Sequence, residues 1–550
     1  MVDGVQGTVP LLDAASARAG DAAAVDAGDT WSALMHRAAG HLARGVVELA
    51  GHGYGLKVAL IVGKGNNGGD GWAAAHRLER EHGAQAWVVA VAGLDTDASA
   101  EAADARRRWR VSGGRTSGGT ADLDRVLAWC DVAVDCVLGT GITGQIRGDA
   151  EVATTALRRW HAAGTPVLAC DIPSGVSADD GSAAQAAVRA DRTVTFGALK
   201  RGLVLHPGAA HAGEVVVGGL GSGYDRFLTA QTGWQALTPA GAAPRRFGPA
   251  TDKRERGVVL GVAGAVGTAG AAALCATGAL RTGAGLVTLV TPEPVRAEVA
   301  ALVDPGVLVR GGPAGEQGGF AADAQHAVAD LAGVDAVLAG PGLGRGPAVQ
   351  VLVEQLRRTA PRLVLDADAL NVHRDDPAAL ADHVGALVLT PHEREFARIG
   401  GGSDGPDAFA HRVERAPELA ARYDATIVVK GPGTLIAAPD GRVWVTPVGS
   451  PALGSGGTGD VLAGVVAAAI ARADDVPLAV AQAVWWHAAA GQQAGAGRAD
   501  RATATDVLAA LPAVLGALTD PTNTYRSWPG AKRPAHASRR PFVEDQGRIR

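Results

Sequence analysis

The sequence predicts two successive α/β domains, each built on a largely parallel sheet. The chain has 550 residues, which is more than one hydrophobic core usually holds. From residue 58 onward, β-like strings alternate with helical stretches, a pattern typical of parallel strands joined by crossover helices. The alternation stops near residues 238–257 and then restarts. The first half is therefore predicted to be a Rossmann-like doubly wound sheet, followed by a second α/β domain.

Composition and charge exclude two classes of partner. The formal net charge is −5, so the chain has no overall basic field that would attract a nucleic-acid backbone. No window contains the ~18 uninterrupted apolar residues of a membrane span. The N-terminus also lacks a basic region followed by an apolar core. We therefore expect a cytoplasmic protein that binds neither nucleic acid nor membrane.

The first domain is predicted to cover residues 1–228. Its early helix, in GDTWSALMHRAAGHLARGVVELA, can be capped by Asp29 or Thr30. One face of that helix is apolar and contains Leu34, Ala38, Leu42 and Val46. We expect this face to pack on the sheet or on another subunit, and the protein to be a homo-oligomer. The strands that follow are VALIVG, AWVVAVA, VAVDCVLG, PVLACDIP and RTVTF.

The rest of the chain divides into a linker, a second domain and a tail. Residues 229–254 are predicted to be the linker, because Pro, Gly and charge accumulate towards 238–257 and periodicity is lost. Residues 255–518 form the second domain, in which the turn PDG predicts a hairpin. The Arg- and Pro-rich residues 519–550 are predicted to be a disordered tail.

The turn GKGNNGGDG, between the first strand and the next helix, is the first candidate site. Its glycines satisfy the dinucleotide pattern G-x-G-x-x-G, which is weak evidence alone. A phosphate loop is excluded, because Gly69 stands where its lysine should be and Asp70 where its hydroxyl should be. Asp70 can cap the helix and compete with a phosphate, which favours a site for hydroxyls, amides or a cation. Close packing and capping alone would leave Asn66 and Asn67 unexplained.

Two further loops follow later strands of the first domain, VDCVLGTGITGQIRG and ACDIPSGV. Ligands collect at the carboxyl ends of strands in open α/β sheets. Asp135 lies in an apolar strand, where a lone carboxylate is costly unless it has a partner such as a cation. Asp171 precedes a Pro-Ser-Gly turn at the sheet edge, where its pKa could be tuned for proton transfer. Each aspartate taken singly could be structural, but three such loops in one sheet favour a site.

The second domain contains a glycine-rich loop that runs into a helix, SPALGSGGTGDVLAG. Free backbone N–H groups at such a helix start bind anions, so a phosphate site is predicted. Asp460 would repel that anion unless it acts as a base on an attacking hydroxyl; an N-cap role is the alternative. Lys430 in VVKGPGT suits a nucleotide's phosphates or ribose. His392 ends another strand and suits a substrate contact.

GKGNNGGDG, the spacing from Asp135 to GTG, and DIPSG together resemble the NAD(P)H-hydrate epimerase domain over most of residues 10–225. The resemblance implies that Asp171 is the acid/base residue and that potassium is held by Asn67, Asp135 and Ser174. Oxygen donors of this kind suit such an ion. It further implies that the hydrated dinucleotide contacts two loops, through Asn66, Asn67, Gly68, Gly69, Asp70, Gly139, Thr140, Gly141, Ile142, Thr143, Gly144 and Gln145.

Residues 255–515 resemble the ribokinase-like fold and, within it, ADP-dependent NAD(P)H-hydrate dehydratase, through GAGLVT, GPGLG, DADALN, KGPGT and GGTGDVLAG. The resemblance implies substrate contacts at Gly342, Gly344, His392 and Asp460, with Asp460 catalytic and Mg²⁺ as counter-ion. The chain departs from the family's usual HPGE, because it has HERE at 392–395. The implied ADP contacts are Lys430, Gly431, Pro432, Gly433, Thr434, Ser450, Gly454, Ser455, Gly456, Gly457, Thr458 and Gly459.

Together the two resemblances imply a bifunctional repair enzyme for hydrated NADH and NADPH, known as NADHX and NADPHX. The first domain would interconvert the R and S epimers. The second would use ADP to dehydrate the S epimer, giving NAD(P)H, AMP and phosphate. Two alternatives stay open on the residues alone. The second half could be a ribokinase-like kinase for a vitamin precursor, or the first half could be a cofactor-sensing or partner-binding module.

Overall fold

The computed structural model describes residues 7–94, 98–141, 144–402, 408–498 and 501–519. The predicted tail, residues 519–550, lies outside the described residues from position 520 onward. Among the described helices, none combines the length and the apolar character needed to cross a membrane.

The first half contains a parallel sheet, as predicted, and this sheet has seven strands. Its strand order is β4-β3-β2-β5-β6-β7-β9, and each neighbouring pair is parallel. The strands of this half are β1 (Thr8–Leu12), β2 (Lys57–Val62), β3 (Gln85–Ala90), β4 (Arg115–Gly118), β5 (Val132–Cys136), β6 (Val167–Cys170), β7 (Arg192–Phe196), β8 (Leu199–Lys200), β9 (Glu214–Gly218) and β10 (Trp234–Leu237). The helices are α1 (Ala14–Asp26), α2 (Trp31–Ala50), α3 (Asn66–His82), α4 (Ala100–Val111), α5 (Leu123–Trp129), α6 (Asp149–Ala162), α7 (Ala209–Ala212) and α8 (Ser222–Thr229).

Helices cover both faces of this sheet, which is the doubly wound arrangement. One apolar cluster joins the sheet to α1, α2, α3, α4 and α8, and another joins the opposite face to α5 and α6. The predicted helix start is confirmed at Thr30, whose Oγ1 accepts a hydrogen bond from the backbone N–H of Ala33 at 3.1 Å. The predicted apolar stripe of α2 is buried within the first cluster.

The second half forms a sheet whose central strands are parallel. The order β13-β12-β11-β14-β15-β16-β17 is parallel throughout, and the antiparallel strands β18 and β19 extend it. The strands are β11 (Val258–Val262), β12 (Leu286–Pro292), β13 (Val307–Gly312), β14 (Ala336–Ala339), β15 (Arg362–Leu365), β16 (Ala386–Leu389), β17 (Ala425–Val429), β18 (Leu435–Ala437) and β19 (Val443–Val445). The turn PDG joins β18 and β19, as predicted.

Helices also cover both faces of the second sheet. The helices are α9 (Ala269–Arg281), α10 (Arg296–Leu302), α11 (Pro347–Thr359), α12 (Asp368–Asn371), α13 (Glu393–Phe396), α14 (Ala408–Tyr423), α15 (Thr458–Ile470), α16 (Val476–Gly495) and α17 (Ala504–Thr519). One apolar cluster contains α9, α15, α16 and α17, and a separate cluster on the other face contains α11 and residues of α14.

The segment predicted as a linker, residues 229–254, contains a strand. In this segment, β10 pairs in parallel with β19 and antiparallel with β1. β1 in turn pairs in parallel with β8, so the second sheet continues into strands of the first half. Local composition does not predict β10, because the four residues of this strand are stabilised by strands that are distant in the sequence.

In each sheet the direction in which successive strands are added reverses once, and a candidate site lies at each reversal point. In the first sheet the chain moves outward from β2 in one direction and from β5 in the other. In the second sheet the same occurs at β11 and β14. The crevice at the carboxyl ends of such strands is where open α/β sheets bind ligands.

The last glycine of the GGTGDVLAG motif, Gly464, lies at a close contact between two helices. It lies in α15 where that helix crosses α9, and a Cβ there would overlap the carbonyl oxygen of Cys275. We expect Gly464→Ala to lower the unfolding free energy by roughly 1–3 kcal/mol, because the two backbones would have to separate. Thermal unfolding measures this. Gly516→Ala in α17 is the matched control, since its Cβ would meet open space. Equal melting temperatures for the two variants would contradict the close helix crossing.

Candidate active sites

The first candidate site is a cavity of about 770 Å³ at the reversal point of the first sheet. Its wall combines the turn after β2, the loop after β5, the ends of β6 and β7, and side chains from α1, α2 and α8. Residues 63–67, Asp70, Gly139, Thr140, Gly141 and Asp171 all line it. The three loops singled out in the sequence therefore meet in one place.

The glycine-rich turn is compact because its backbone leaves no room for side chains. A Cβ at Gly68 would overlap the carbonyl oxygen of Gly63, and a Cβ at Gly63 would overlap that of Val137. α3 begins at Asn66 with Gly65 as its N-cap. Asp70 lies one turn further along, so the predicted capping role of Asp70 is wrong. Its buried side chain instead faces the cavity.

Asp171 and Lys200 form a buried ion pair at the cavity wall. Lys200 Nζ lies 2.6 Å from Asp171 Oδ1 and is 3% exposed. The same oxygen accepts hydrogen bonds from Thr195 Oγ1 at 3.0 Å and from the Phe196 N–H at 3.2 Å. In the described part of the chain, Oδ2 makes no hydrogen bond. Asp171 has φ +64°, and such strain is typical of functional positions.

The residues predicted to bind the cation, Asn67, Asp135 and Ser174, are connected by hydrogen bonds and a shared neighbour, the Leu138 carbonyl. Asp135 is fully buried, and its carboxylate accepts hydrogen bonds from Ser174 Oγ at 2.6 Å and the Ser174 N–H at 2.7 Å. Ser174 Oγ lies 3.2 Å from the Leu138 carbonyl oxygen, to which Asn67 Nδ2 donates at 2.9 Å. Asn67 Oδ1 is buried and lacks a hydrogen-bond partner among the described residues. Burial raises the pKa of Asp135 to about 6.

The second candidate site surrounds Asp460 near the start of α15. The N-cap of α15 is Gly457, which has no side chain that could cap the helix, and α15 begins at Thr458. Asp460 is therefore the third helical residue and not the N-cap. Burial raises the pKa of Asp460 to about 7, and the charge of Asp366 adds to the effect. Lys430 acts in the opposite direction. A carboxylate with a pKa near neutrality suits proton transfer.

Lys430 is held in place by two carboxylates. Its Nζ lies 2.7 Å from Asp366 Oδ1 and 3.9 Å from Glu395 Oε2. Burial opposes the charge of Lys430, but attraction to Asp366 and Glu395 outweighs it and raises the pKa of Lys430. A Cβ at Gly459 would lie 3.5 Å from Lys430 Nζ. The structure therefore brings the KGPGT and GGTGD loops together.

The predicted nucleotide loops are shaped by local hydrogen bonds. Thr434 Oγ1 donates to the Gly431 carbonyl at 2.8 Å, and Thr458 Oγ1 donates to the Leu453 carbonyl at 2.7 Å. A Cβ at Gly433, where φ is +64°, would lie 2.7 Å from the Val204 carbonyl oxygen. The KGPGT loop therefore packs against the segment that follows β8 in the first half.

His392 caps α13 in a reciprocal arrangement. Its Nδ1 accepts hydrogen bonds from the backbone N–H groups of Arg394 and Glu395, and the Glu395 side chain accepts from the His392 N–H at 2.9 Å. Glu395 is buried, whereas Glu393 and Arg394 are exposed. The two residues that replace the usual Pro and Gly of HPGE therefore face solvent.

Two family models match the chain. One, described as the N-terminus of YjeF-related proteins, matches residues 32–202, and one described as NAD(P)H-hydrate dehydratase matches residues 259–513. The bifunctional NAD(P)H-hydrate repair enzyme Nnr of Moorella thermoacetica is 35% identical over 480 residues, which make up 85% of this chain and 89% of the relative. This chain belongs to the family of bifunctional NAD(P)H-hydrate repair enzymes.

A second curated relative agrees with this membership. The Nnr repair enzyme of Gloeobacter violaceus is 36% identical over 513 residues, covering 88% of this chain and 93% of the relative. Among solved structures, the ADP/ATP-dependent NAD(P)H-hydrate dehydratase of Bacillus subtilis is 30% identical, with a TM-score of 0.43 over 50% of this chain and 95% of its own. Membership in the repair enzyme family confirms the predicted fold class, a Rossmann-like sheet followed by a ribokinase-like domain. It also confirms the predicted bifunctional activity and does not favour the vitamin-precursor kinase.

Of the residues predicted to contact the substrate of this repair enzyme in the first domain, those that line the cavity are Asn66, Asn67, Asp70, Gly139, Thr140, Gly141 and Asp171. Gly68 and Gly69 pack within α3 instead of lining the cavity, and Gly144 and Gln145 are exposed outside its wall. Ile142 and Thr143 lie outside the described residues. In the second domain, Gly344 donates its N–H to Asp368 at 3.0 Å, and Gly342, with φ +62°, packs on Thr268.

Lys200 and Asp21 line the cavity but are missing from the sequence-based prediction. Lys200 could have been found, because it is the single charged residue in the apolar string TVTFGALK. Asp21 lies in an Ala-rich helix that carries none of the motifs. Only the fold brings it to the cavity.

Proposed function

We propose that the two sites repair hydrated NADH and NADPH in sequence, with Asp171 and Asp460 as the acid/base residues. The first domain interconverts the R and S hydrates, and the second dehydrates the S hydrate with ADP. The observation that supports this most directly is that two separate sites each present a carboxylate at a strand end or helix start. In each site a lysine lies close to that carboxylate or to its neighbours; Lys200 is buried and Lys430 is partly buried.

Asp171 is suited to proton transfer at the hydroxyl-bearing ring carbon. Water that adds across the reduced ring's double bond leaves its hydroxyl on the carbon next to the ring nitrogen. Because three donors converge on Oδ1 of Asp171, Oδ2 is the oxygen left to meet the substrate. Residues 65–67 and 139–141 surround the same cavity and would bind the rest of the dinucleotide.

The donors around Asn67 fit an alkali cation. Asn67 Oδ1, Asp135 and Ser174 would hold K⁺, since a buried amide oxygen without a partner is costly and hard oxygen donors suit this ion. The bound ion would add positive charge beside the dinucleotide. These residues also tie the loop after β5 to the turn after β6, through the Ser174 hydrogen bonds.

We expect K⁺ to raise both the melting temperature and the epimerisation rate of the wild-type chain, compared with tetramethylammonium at equal ionic strength. Asp135→Asn should lose both responses, because it removes the buried charge while keeping the side-chain shape. Thermal unfolding and an epimer-resolving chromatographic assay measure the two effects. A wild-type chain that responds identically to both cations would refute the potassium site.

In the second domain, Asp460 would take the proton from the substrate's ring hydroxyl. The hydroxyl oxygen then attacks the β-phosphorus of ADP, and AMP leaves with the electrons of the broken P–O bond. Phosphate next departs from the ring carbon with the C–O electron pair, assisted by the ring nitrogen. Loss of a proton from the adjacent carbon restores NAD(P)H. The free N–H groups at the start of α15 would bind the transferred phosphoryl group.

Magnesium would enter this site together with the nucleotide. Within the described residues, no group of three or more His, Cys, Asp or Glu side chains is arranged to hold a metal ion. Mg²⁺ usually takes only one or two protein carboxylates and completes its shell with phosphates and water. Asp366 and Asp368 lie near Asp460 and are the carboxylates available for that role.

The proposal is tested by incubating the purified chain with hydrated NADH, with and without ADP. Restoration of the near-ultraviolet absorbance of NADH only when ADP is present is the expected result. A chain that leaves the hydrate unchanged but phosphorylates a pyrimidine or thiazole alcohol would overturn it in favour of the kinase alternative.

A further inference from the structure

Helix α1 contributes a carboxyl group to the first cavity. α1 precedes residues 32–202, which match the N-terminal family model. Its Asp21 is partly buried and lines the cavity that also contains Asp171 and Lys200. A residue outside the matched region thus lines the same cavity as Asp171 and Lys200.

The structure fixes α1 relative to the catalytic strands. β1 leads directly into α1 and pairs in parallel with β8, so that Leu12 is opposite Lys200. Asp13 caps α1 by accepting a hydrogen bond from the Ser16 N–H at 2.7 Å, and it lies 3.0 Å from Arg201. The end of β8 therefore holds both Lys200 and the start of α1.

The ring of Tyr224, in α8, packs against the middle of α1. A Cβ at Gly20 would lie 2.7 Å from the Tyr224 ring, and a Cβ at Gly197 would overlap the same ring. The ring thus packs between α1 and the end of β7. Because Gly20 directly precedes Asp21, this contact holds the backbone of α1 next to Asp21.

The Asp21 carboxyl is available for chemistry. Its side chain forms no hydrogen bond or ion pair with any residue that the structure describes. The titratable groups that face it are Lys200, Asp171, Asp70 and Tyr224. Burial raises the pKa of Asp21 to about 6, Lys200 acts in the opposite direction, and Asp171 adds to the increase. The group can therefore carry and release a proton near neutral pH.

We propose that Asp21 is a second proton-transferring residue of epimerisation, working with Asp171 on the same substrate carbon; this rests on the proposed function of the first domain. In one direction, Asp21 gives its proton to the ring hydroxyl. The C–O bond then breaks, water leaves with the electron pair, and the ring nitrogen forms a C=N⁺ bond to that carbon. Water adds back to the opposite face and its proton passes to Asp171. The reverse reaction exchanges the two roles.

Asp21→Asn in the full chain tests this inference. We expect the rate of R-to-S conversion to fall by roughly 10²-fold or more, the lower end of the usual effect of a general acid. ADP-dependent dehydration of the S hydrate should stay at the wild-type rate and serves as the internal control for folding. The matched control is Asp26→Asn, which changes an exposed carboxyl at the end of the same helix and should retain epimerisation.

The pH profile separates a proton-transfer role from a structural one. Because Asp21 must be protonated to act as the acid, wild-type kcat/KM for R-to-S conversion should fall as the pH rises through about 6, and the residual activity of Asp21→Asn should lack that fall. A variant that epimerises as fast as wild type overturns the role of Asp21 alone. A wild-type chain that does not interconvert the epimers overturns the proposed function as well.

Discussion

Asp460→Asn is expected to lower ADP-dependent dehydration of the S hydrate by roughly 10²–10⁴-fold, the usual contribution of a general base. The amide cannot accept the proton of the ring hydroxyl, so the hydroxyl oxygen remains a poor nucleophile towards ADP. Epimerisation should be unchanged, because the first site lies in the other domain. Initial rates of NADH recovery from pure S hydrate measure the effect.

The pH dependence gives the same prediction a second test. Asp460 must be ionised to act as a base, and burial raises its pKa to about 7. The wild-type dehydration rate should therefore increase as the pH rises through about 7 and level off above it. Asp474→Asn, which changes an exposed carboxyl in the connection after α15, should behave as wild type. If Asp460→Asn keeps the wild-type rate, Asp460 is not the base.

Lys200→Met is expected to have the largest effect on the first domain. The substitution removes the ammonium group and leaves Asp171 as a mostly buried carboxylate without its counter-charge. Breaking a buried ion pair from one side costs about 3–5 kcal/mol, and we expect the lower end because Asp171 keeps some solvent contact. Epimerisation should also be lost, since Lys200 orients the reactive carboxylate. Denaturant unfolding and the epimer assay measure the two effects.

A double variant distinguishes loss of the ion pair from loss of packing. Asp171→Asn/Lys200→Met removes both charges, so it should recover at least half of the stability that Lys200→Met loses. Dehydration of the S hydrate should persist in both variants if the second domain stays folded. Equal stability of the single and double variants would show that Lys200 contributes through packing and not through its charge.

Local sequence patterns were sufficient where neighbouring residues determine the structure. The apolar stripe from Leu34 to Val46 predicts α2, and Thr30 marks its start, because both depend on residues within a few positions. The three loops of the first site could be placed together because parallel strands end at the same sheet edge. Asp135 was predicted to have a partner because a buried carboxylate requires one.

Features that depend on distant residues could not be predicted in this way. β10 forms because β1 and β19 flank it, and these strands are more than two hundred residues apart in the sequence. Lys200 contacts Asp171 although the two residues are 29 positions apart in the sequence. Asp21 lies at the same cavity because β1, which precedes its helix, pairs with β8. Asp70 was predicted to cap α3, but the helix begins four residues earlier.

The most direct test of the two-site account uses a mixture of R and S hydrates with excess ADP, and measures the total NADH restored. Wild type should restore the whole mixture. Asp171→Asn should restore NADH at the enzymatic rate only from the S hydrate. Asp460→Asn should restore NADH from neither hydrate. Combining the two variants should recover full repair, because each supplies the site that the other lacks. Complete restoration by Asp171→Asn at the wild-type rate would contradict the account.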